Sequence, residues 1–507
     1  MNRHSSLVLS IARKVTLAWL ALLFLASLTQ AQSPTPSPSG TAPIKLGSLT
    51  ITGSVRARAE NWGWFETDRA DPSYTFGAVQ IRLGIGQNKE GYEWLVEGEA
   101  PILFGLPNNA IAPAPQGQLG LGATYFAASG TKNATAVFKQ GFVRFKELFG
   151  DKASSLKLGR FEFNDGLEVV PADAQLATIK RDHISQRLIG TFGFTHVGRS
   201  FDGAQFGHNF KQGNFTFFGA RPTEGVFQLN GNRQLDLDIW YTAFTQPKKF
   251  KTATTEWRAF VTHYHDGRRV LKTDNRTAVL RAADLENIRI TSIGGHHIGV
   301  YQAGKGKVDT LAWGAGQFGT FGNLDQRAAA IALEAGYTFG GNKFADKVKP
   351  WVRGGYFRST GDGNATDGKH TTFFQMLPTP RIYARTPYFN AMNNEDVFGQ
   401  LRIKPHAKVA ARFDAHHLRL SNKNDLWYVG GGAFQKNSFG FVGRPSQSKQ
   451  NLCWLFDASA DISISARTAV TLYYGGMRGG GVQSATYPQG GKNPLGHFLY
   501  FELMQKF

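Results

Sequence analysis

The last twelve residues, Gly496 to Phe507, read GHFLYFELMQKF and limit the fold more than any other stretch. Leu499, Phe501, Leu503 and Phe507 fall on one parity, and Tyr500, Glu502, Met504 and Lys506 on the other. That is the period-two pattern of a strand with an apolar and a more polar face. Gln505, on the apolar parity, is the one departure. An amphipathic strand running to the end of a chain leaves an edge that invites aggregation, which soluble proteins avoid. A transmembrane barrel removes the edge by pairing its last strand with its first, as lipid requires. The competing reading is a core strand at the end of a soluble β-protein.

The same period recurs upstream. Arg56, Arg58 and Glu60 oppose Val55, Ala57 and Ala59, while Gln80 and Arg82 oppose Val79, Ile81, Leu83 and Ile85. Glu93, Glu97 and Glu99 oppose Tyr92, Trp94 and Val96. Strand-like segments continue near 135–146, 155–163, 201–211, 214–221, 235–245, 254–265, 287–302, 308–319, 326–339, 348–358, 396–404, 407–420, 450–464 and 467–477. With the terminal strand the count is about eighteen, an even number as bacterial outer-membrane barrels require. Long connections fall at odd-to-even junctions and short ones at even-to-odd junctions. The expected fold is therefore all-β: a single transmembrane antiparallel up-and-down β-barrel of about 18 strands, with short periplasmic turns and long extracellular loops. Segments 101–133, 164–200 and 359–395 are the loops expected to fold over or into the mouth and gate it.

The N-terminus reads as an export signal. Arg3, Arg13 and Lys14 precede the apolar run Thr16 to Leu28, and Thr29-Gln30-Ala31 offers a cleavage site. The predicted organisation is a signal peptide over 1–31, a Pro/Ser linker over 32–43 and a barrel over 44–507. No later stretch approaches 18 apolar residues, so no helix is expected to cross a membrane. The only cysteine is Cys453, which excludes an intrachain disulfide and a cysteine-based metal site.

The net charge of +20 needs a partner. Nucleic acid is the usual one for a basic chain, but the sequence has no clustered Lys/Arg run, and an exported protein seldom meets nucleic acid. The expected partners are anionic lipopolysaccharide and outer-membrane lipid around the wall, and an anionic polysaccharide or small anions inside it. Charge on the lipid face costs a few kcal/mol, so charged positions mark the lumen. By that rule Arg56, Arg58, Arg82, Arg258, Arg353, Lys408 and Arg412 point inward, joined by Glu60, Glu93, Glu97, Glu256 and Asp414. A guanidinium offers a fixed fork to carboxylate or phosphate, so a ring of them concentrates anions. The alternative is that these charges pair across neighbouring strands and only hold the wall in shape. Among Trp62, Trp64, Trp94, Tyr241, Trp257, Trp313, Tyr337, Trp351, Tyr356, Tyr473 and Tyr474, some are expected to form interfacial girdles.

No catalytic motif is present and no cofactor is expected. His296-His297 and His416-His417 are adjacent pairs, which point to opposite faces of a strand and cannot share a metal. The run at 359–364 (STGDGN) is rich in oxygen ligands, but its spacing is not that of an EF-hand, and a polar loop is the simpler reading.

Several segments resemble the alginate-export family of outer-membrane barrels. They are Leu158-Gly159-Arg160 with Asn164-Asp165-Gly166; Arg199-Ser200-Phe201-Asp202-Gly203; Arg358-Ser359-Thr360-Gly361-Asp362 with Thr372 to Thr379 and Asn393; and His417 to Leu420 with Asp425 to Tyr428. The terminal Phe507 also resembles the recognition signal of bacterial outer-membrane proteins. The family's Ser-Gly-Asp carries an inserted Thr360 here, which separates any loop-bound ion from the expectation. The resemblance implies an eighteen-stranded barrel with an arginine-rich, anion-selective pore, and it adds Arg160, Arg199 and Asp202 as pore residues. It also implies outward passage of a polyuronate, with periplasmic export partners. Parity alone leaves Arg160 open, because Phe161 and Leu158 cannot both face lipid unless Gly159 forms a bulge. The expected function is an outer-membrane channel for an anionic polysaccharide or oligosaccharide, with no chemistry. The rivals are a general anion-selective uptake porin and an exported soluble β-protein acting on polysaccharides.

Overall fold

The computed structural model describes residues 44–387 and 389–507. The leader and the Pro/Ser linker lie outside the described residues. Eighteen long antiparallel strands form the wall. They are β1 (Leu49–Gly63), β2 (Ser73–Asn88), β3 (Tyr92–Phe104), β4 (Val137–Phe145), β5 (Ser154–Phe161), β6 (Phe201–Phe210), β7 (Gly213–Pro222), β8 (Leu237–Lys249) and β9 (Ala253–Asp266). Then follow β10 (Ile288–Ala303), β11 (Gly306–Phe321), β12 (Leu324–Thr338), β13 (Trp351–Ser359), β14 (Asn394–His406), β15 (Val409–Leu420), β16 (Asn451–Ser463), β17 (Thr468–Gly479) and β18 (Leu495–Lys506). Each strand pairs with the next, and β18 pairs with β1 from Ser54↔Lys506 to Gly63↔His497. The ladder therefore closes, and no edge is left for lipid to meet.

Alternation decides the two faces. In β12, Leu324, Gln326, Ala328, Ala330, Ala332 and Glu334 are buried, while Arg327, Ala329, Ile331, Leu333 and Ala335 are exposed. The exposed parity is the outer wall and the buried parity faces the lumen. Connections at one end of the barrel are short: Lys89–Gly91, Lys211–Gln212, Gly304–Lys305 and Ala407–Lys408. The opposite end carries the long ones: 105–136, 162–200, 360–393 and 421–450. Two junctions break the pattern. Gly322–Asn323 is a tight turn on the long-loop end, and a helix at Lys343–Val348 lies on the short-turn end.

The aromatic residues divide between the faces. Trp257 and Tyr474 stand on the exposed parity, whereas Trp62, Trp64, Tyr241, Trp313 and Tyr473 are buried inside the barrel. Trp62, Tyr241, Trp313 and Tyr473 are not girdle residues, because their strands place them on the lumen face, and Trp64 is buried just beyond the end of β1. The adjacent histidines separate as alternation requires. His297 stacks on the outward Trp257 at 4.2 Å and His417 on Trp454 at 4.5 Å, while His296 and His416 are buried inside.

Leu472 lies mid-strand on the outer wall, opposite Phe501 of β18. Leu472→Arg is expected to lower the unfolding free energy by about 2–4 kcal/mol relative to Leu472→Ala, as a charge at the bilayer midplane does. Urea titration of the protein folded into lipid vesicles measures the difference.

Candidate functional site

Eighteen strands enclose more volume than their own side chains fill. Here the long connections enter that volume. Ile179, Ile184 and Leu188 of 162–200 and Phe373, Phe374, Leu377 and Tyr383 of 360–393 pack against the inward Ile239, Tyr241, Ile290 and Ile298. A second cluster joins Phe192, Phe227, Trp427 and Tyr125 to the wall residues Trp62, Phe76, Phe498 and Tyr500. The lumen therefore holds a packed apolar interior over much of its depth, and is not simply water-filled. A cleft of about 890 Å³, partly open to solvent, remains between Trp62, Trp64, Phe192, Phe227, Phe434 and Arg444.

The inward charges meet partners from these loops. A short helix, α1 (Ala174–Ile179), is capped by Asp173, whose side chain accepts the N–H groups of Gln175 and Leu176. It continues into one π-helical stretch, Lys180–Ile184, that carries two polar anchors to the wall, with a third at Arg187 just beyond it. Lys180 Nζ lies 2.6 Å from Glu256, Arg187 Nη2 lies 3.7 Å from Glu334, and His183 Nδ1 lies 3.0 Å from Glu334. Glu334 also receives Arg353, which binds Asp309 with its other terminal nitrogen. Arg258 donates to Glu168 of the same loop at 3.0 Å. Arg58 donates to Glu60, Glu502 and the Phe194 carbonyl, and its guanidinium lies 3.9 Å from the centre of the Phe194 ring. Arg381 covers the same ring at 3.5 Å. Arg56 donates to the carbonyls of Gly193 and Thr195 at 2.7 and 2.6 Å. Arg199 donates to those of Gly190 and Gly431.

Of the predicted site residues, then, Arg56, Arg58, Arg258 and Arg353 are buried and tie loops to the wall or wall strands to each other, and the buried Arg199 ties loop to loop. Arg82 faces inward, half-buried among Glu97, Glu99 and Glu162. Three predicted residues lie elsewhere. Phe161 and Phe201 are fully buried in the lumen cluster. Alternation therefore turns Arg160 and Asp202 outward, where they form an ion pair with N–O distances of 2.6 and 2.7 Å beside the exposed Phe138. Lys408 sits on an exposed turn, outside the strand that parity gave it.

A separate group of guanidiniums keeps access to solvent. Arg181 and Arg402 share the carboxylate of Asp182, at 2.6 and 2.7 Å. Arg385 binds Asp461 at 2.9 Å, and Arg412 binds Asp414 and the Tyr383 carbonyl. The side chains of Arg181, Arg385 and Arg402 remain 28, 21 and 17 % exposed, against 0 % for Arg353. Sequence reasoning missed Arg181, Arg381 and Arg385 because they stand on irregular loops, where strand parity says nothing. It missed Arg402 too, although that residue shares the inward parity of Gln400 on β14.

Two loop carboxyls are buried without a full counter-charge. Burial pushes Asp165 up to about 7 and Asp425 up to about 6. Asp165 accepts the N–H of Ile189 at 3.1 Å, and Asp425 accepts the N–H of Asp362 at 2.9 Å and the Thr372 hydroxyl. Both carboxyls hold loop chain to loop chain within the lumen.

A family model described as alginate export matches residues 127–489. No curated protein matches the chain. Among solved structures, the outer membrane protein OpdK of Pseudomonas aeruginosa aligns with a TM-score of 0.51 at 8 % identity, over 90 % of this chain and 98 % of that one. OccAB1 of Acinetobacter baumannii aligns with a TM-score of 0.52 at 10 % identity, over 90 % and 97 %. OccK9 (OpdG) of Pseudomonas aeruginosa aligns with a TM-score of 0.51 at 9 % identity, over 90 % and 98 %. At these identities the likeness is one of fold.

Two outcomes follow for the loop seats. Arg58→Met leaves Glu60 and Glu502 buried without their partner and is expected to cost about 3–5 kcal/mol. Chemical unfolding in detergent measures it, and Glu502→Gln added to the variant should restore part of the loss. The raised Asp165 carboxyl binds its proton more tightly folded than unfolded. Its penalty is present at pH 8 and is relieved as pH falls through about 7 toward the ordinary carboxylate range. Asp165→Asn is therefore expected to be more stable than wild type at pH 8 and to lose that advantage by pH 5, read from thermal midpoints at the two pH values.

Proposed function

The chain belongs to the alginate export family and has the barrel of an outer-membrane channel, and from that premise we propose that it passes an anionic polysaccharide or oligosaccharide across the outer membrane. The carboxylates would move past the half-buried guanidiniums of Arg181, Arg385 and Arg402, with Arg412 buried beside them. The observation that carries this reading is the partial exposure of that group inside the barrel, where Arg353, Arg58 and Arg258 are sealed. Arginine is suited to the task because its charge survives partial burial and its fork matches a carboxylate. A sugar acid moving along the group exchanges one guanidinium for the next, so that no single site holds it. Arg82 would extend the path, while the buried arginines of the predicted set would hold its walls. The family and the fold are those of a transport porin, and passage in this reading involves no bond making. A cleaved leader ending at Ala31 would deliver the chain to the periplasm, and export partners would dock at the short-turn end.

One observation favours a second reading, uptake of small anions. The inward loops leave a cleft of about 890 Å³, partly open to solvent, that would seat a small anion, whereas a polymer in transit needs a continuous passage. Export then requires that 162–200 or 360–393 move aside.

Planar bilayers holding the mature protein separate these readings. Wild type under a salt gradient should show anion-selective reversal, and Arg385→Gln with Arg402→Gln should lower the anion-to-cation permeability ratio several-fold. Uronate oligomers should block the wild-type current with a residence time that grows with length. Block by short carboxylates alone would favour small-anion uptake. Unchanged selectivity in the double variant would reject the arginine path.

A further inference from the structure

We propose that the lumen wall contains a divalent transition-metal site built from Asp414, His416 and Asp457. Asp414 and His416 stand two residues apart on β15, so both face inward, and Asp457 of β16 lies directly opposite Asp414 in the register. One ligand atom from each of the three lies within 4.8 Å of the others, and all three residues are buried.

The partners of these atoms leave a gap of defined chemistry. The Nδ1 of His416 is engaged by Asp396 at 2.9 Å, which leaves Nε2 as the nitrogen free to take an ion. That Nε2 is buried and has no hydrogen-bond partner. Arg412 takes Oδ2 of Asp414 and leaves Oδ1, which is also buried and unpartnered. Asp457 receives the hydroxyls of Tyr473 and Thr386 on Oδ1 and the Arg385 N–H on Oδ2 at 2.7 Å. A carboxylate–histidine pair that presents a bare imidazole nitrogen to two further carboxylates is the arrangement that holds zinc and similar ions.

Charge gives an independent argument. Two carboxylates placed directly opposite on neighbouring strands repel each other, and burial magnifies the cost. Asp396 adds a third. Arg412 is the cation in contact with Asp414, and Arg385 is committed to Asp461. Three carboxylates thus face one bound guanidinium, and a divalent cation between Asp414, Asp457 and His416 would offset the excess negative charge. Mixed imidazole and carboxylate donors select zinc-like ions over calcium or magnesium, which take oxygen alone.

The site also touches the gate. The Asp457 that would bind the ion is the residue that holds Arg385 and Thr386 of the 360–393 loop, and Gly475 lets Thr386 approach, since a Cβ there would meet its Oγ1 at 2.3 Å. Binding would fix that loop on the wall. Removing the ion would loosen the segment that carries Arg385 into the lumen.

Full-length mature protein, folded in detergent and stripped with EDTA, should bind one equivalent of Zn²⁺ per chain with micromolar or tighter affinity by calorimetry. His416→Gln should weaken that uptake at least tenfold, and Asp396→Asn by about 10–100-fold as a partner of a ligand. Circular dichroism and heat-dependent gel mobility establish that each variant is folded. If His416→Gln does not fold, Co²⁺ added to wild type provides the second measurement, a visible absorption band that Zn²⁺ displaces. Uptake that is the same in the variants places the zinc at other histidines and overturns the site. No uptake by the folded wild type also overturns it.

Discussion

The interior of an eighteen-stranded barrel is a space that the wall cannot fill and lipid cannot enter, and most of this structure answers to that constraint. Closure of β18 on β1 satisfies the backbone of the wall. It also fixes a lumen too wide for inward side chains to meet across it. Loops 162–200 and 360–393 enter that lumen and bring apolar residues with them. Once Ile179, Leu188, Phe374 and Leu377 pack on Ile239, Ile290 and Ile298, water is displaced, and every inward charge in the same layer must find a partner. Glu256 finds Lys180, Glu334 finds His183 and Arg353, and Arg258 finds Glu168. The loop supplies the counter-charges, so the loop cannot leave without stranding them.

That dependence makes the arginines of the lumen two populations. Those at the packed depth are structural clamps whose donors are taken by carboxylates or carbonyls. Those around Asp182 and Asp461 sit where packing ends, and retain exposed edges. The difference between Arg353 and Arg402 lies in the layer: Arg353 shares its carboxylates with the buried His183 and Arg187, whereas Arg402 lies against Asp182, at the rim of the π-helical stretch.

The wall was legible in the sequence because its signal is local. Alternation of Arg56, Arg58 and Glu60 against Val55, Ala57 and Ala59 places those side chains correctly without any knowledge of the rest. The alternation of long and short connections gave the strand count and the two ends. What could not be read is what depends on contacts between segments far apart in sequence. Nothing around Phe194 says that Arg58 and Arg381 will sandwich it. Arg160 shows the limit at a single residue. Its two flanking apolar residues, Leu158 and Phe161, go to opposite faces, and only the burial of Phe161 against Phe218 shows that Arg160 points outward. Lys408 fails for a simpler reason, because a two-residue turn ends the parity on which its placement relied. The aromatic residues divide for the same reason as the arginines: residue type suits both an interfacial belt and a packed interior, and strand parity decides between them.

The plug and the pore are therefore built from the same contacts, which bears on how such a channel can open. A rigid withdrawal of 162–200 would break the Lys180–Glu256, His183–Glu334 and Arg258–Glu168 pairs together and expose the apolar residues packed around them. Loop 360–393 is held differently. Its Arg385 and Thr386 reach the wall at Asp457 by hydrogen bonds from a main-chain N–H and a hydroxyl, and its Arg385 side chain pairs with the half-exposed Asp461. Exposed pairs are worth about 1 kcal/mol or less. Loop 360–393 is nonetheless packed into the same interior through Phe373, Phe374, Leu377 and Tyr383, so it too cannot shift as a whole, and Arg385 is the part of it held by the weaker pair. In the reading proposed above, movement of the Arg385 side chain would change the passage and its guanidiniums together, so that selectivity and opening would be coupled through a single segment.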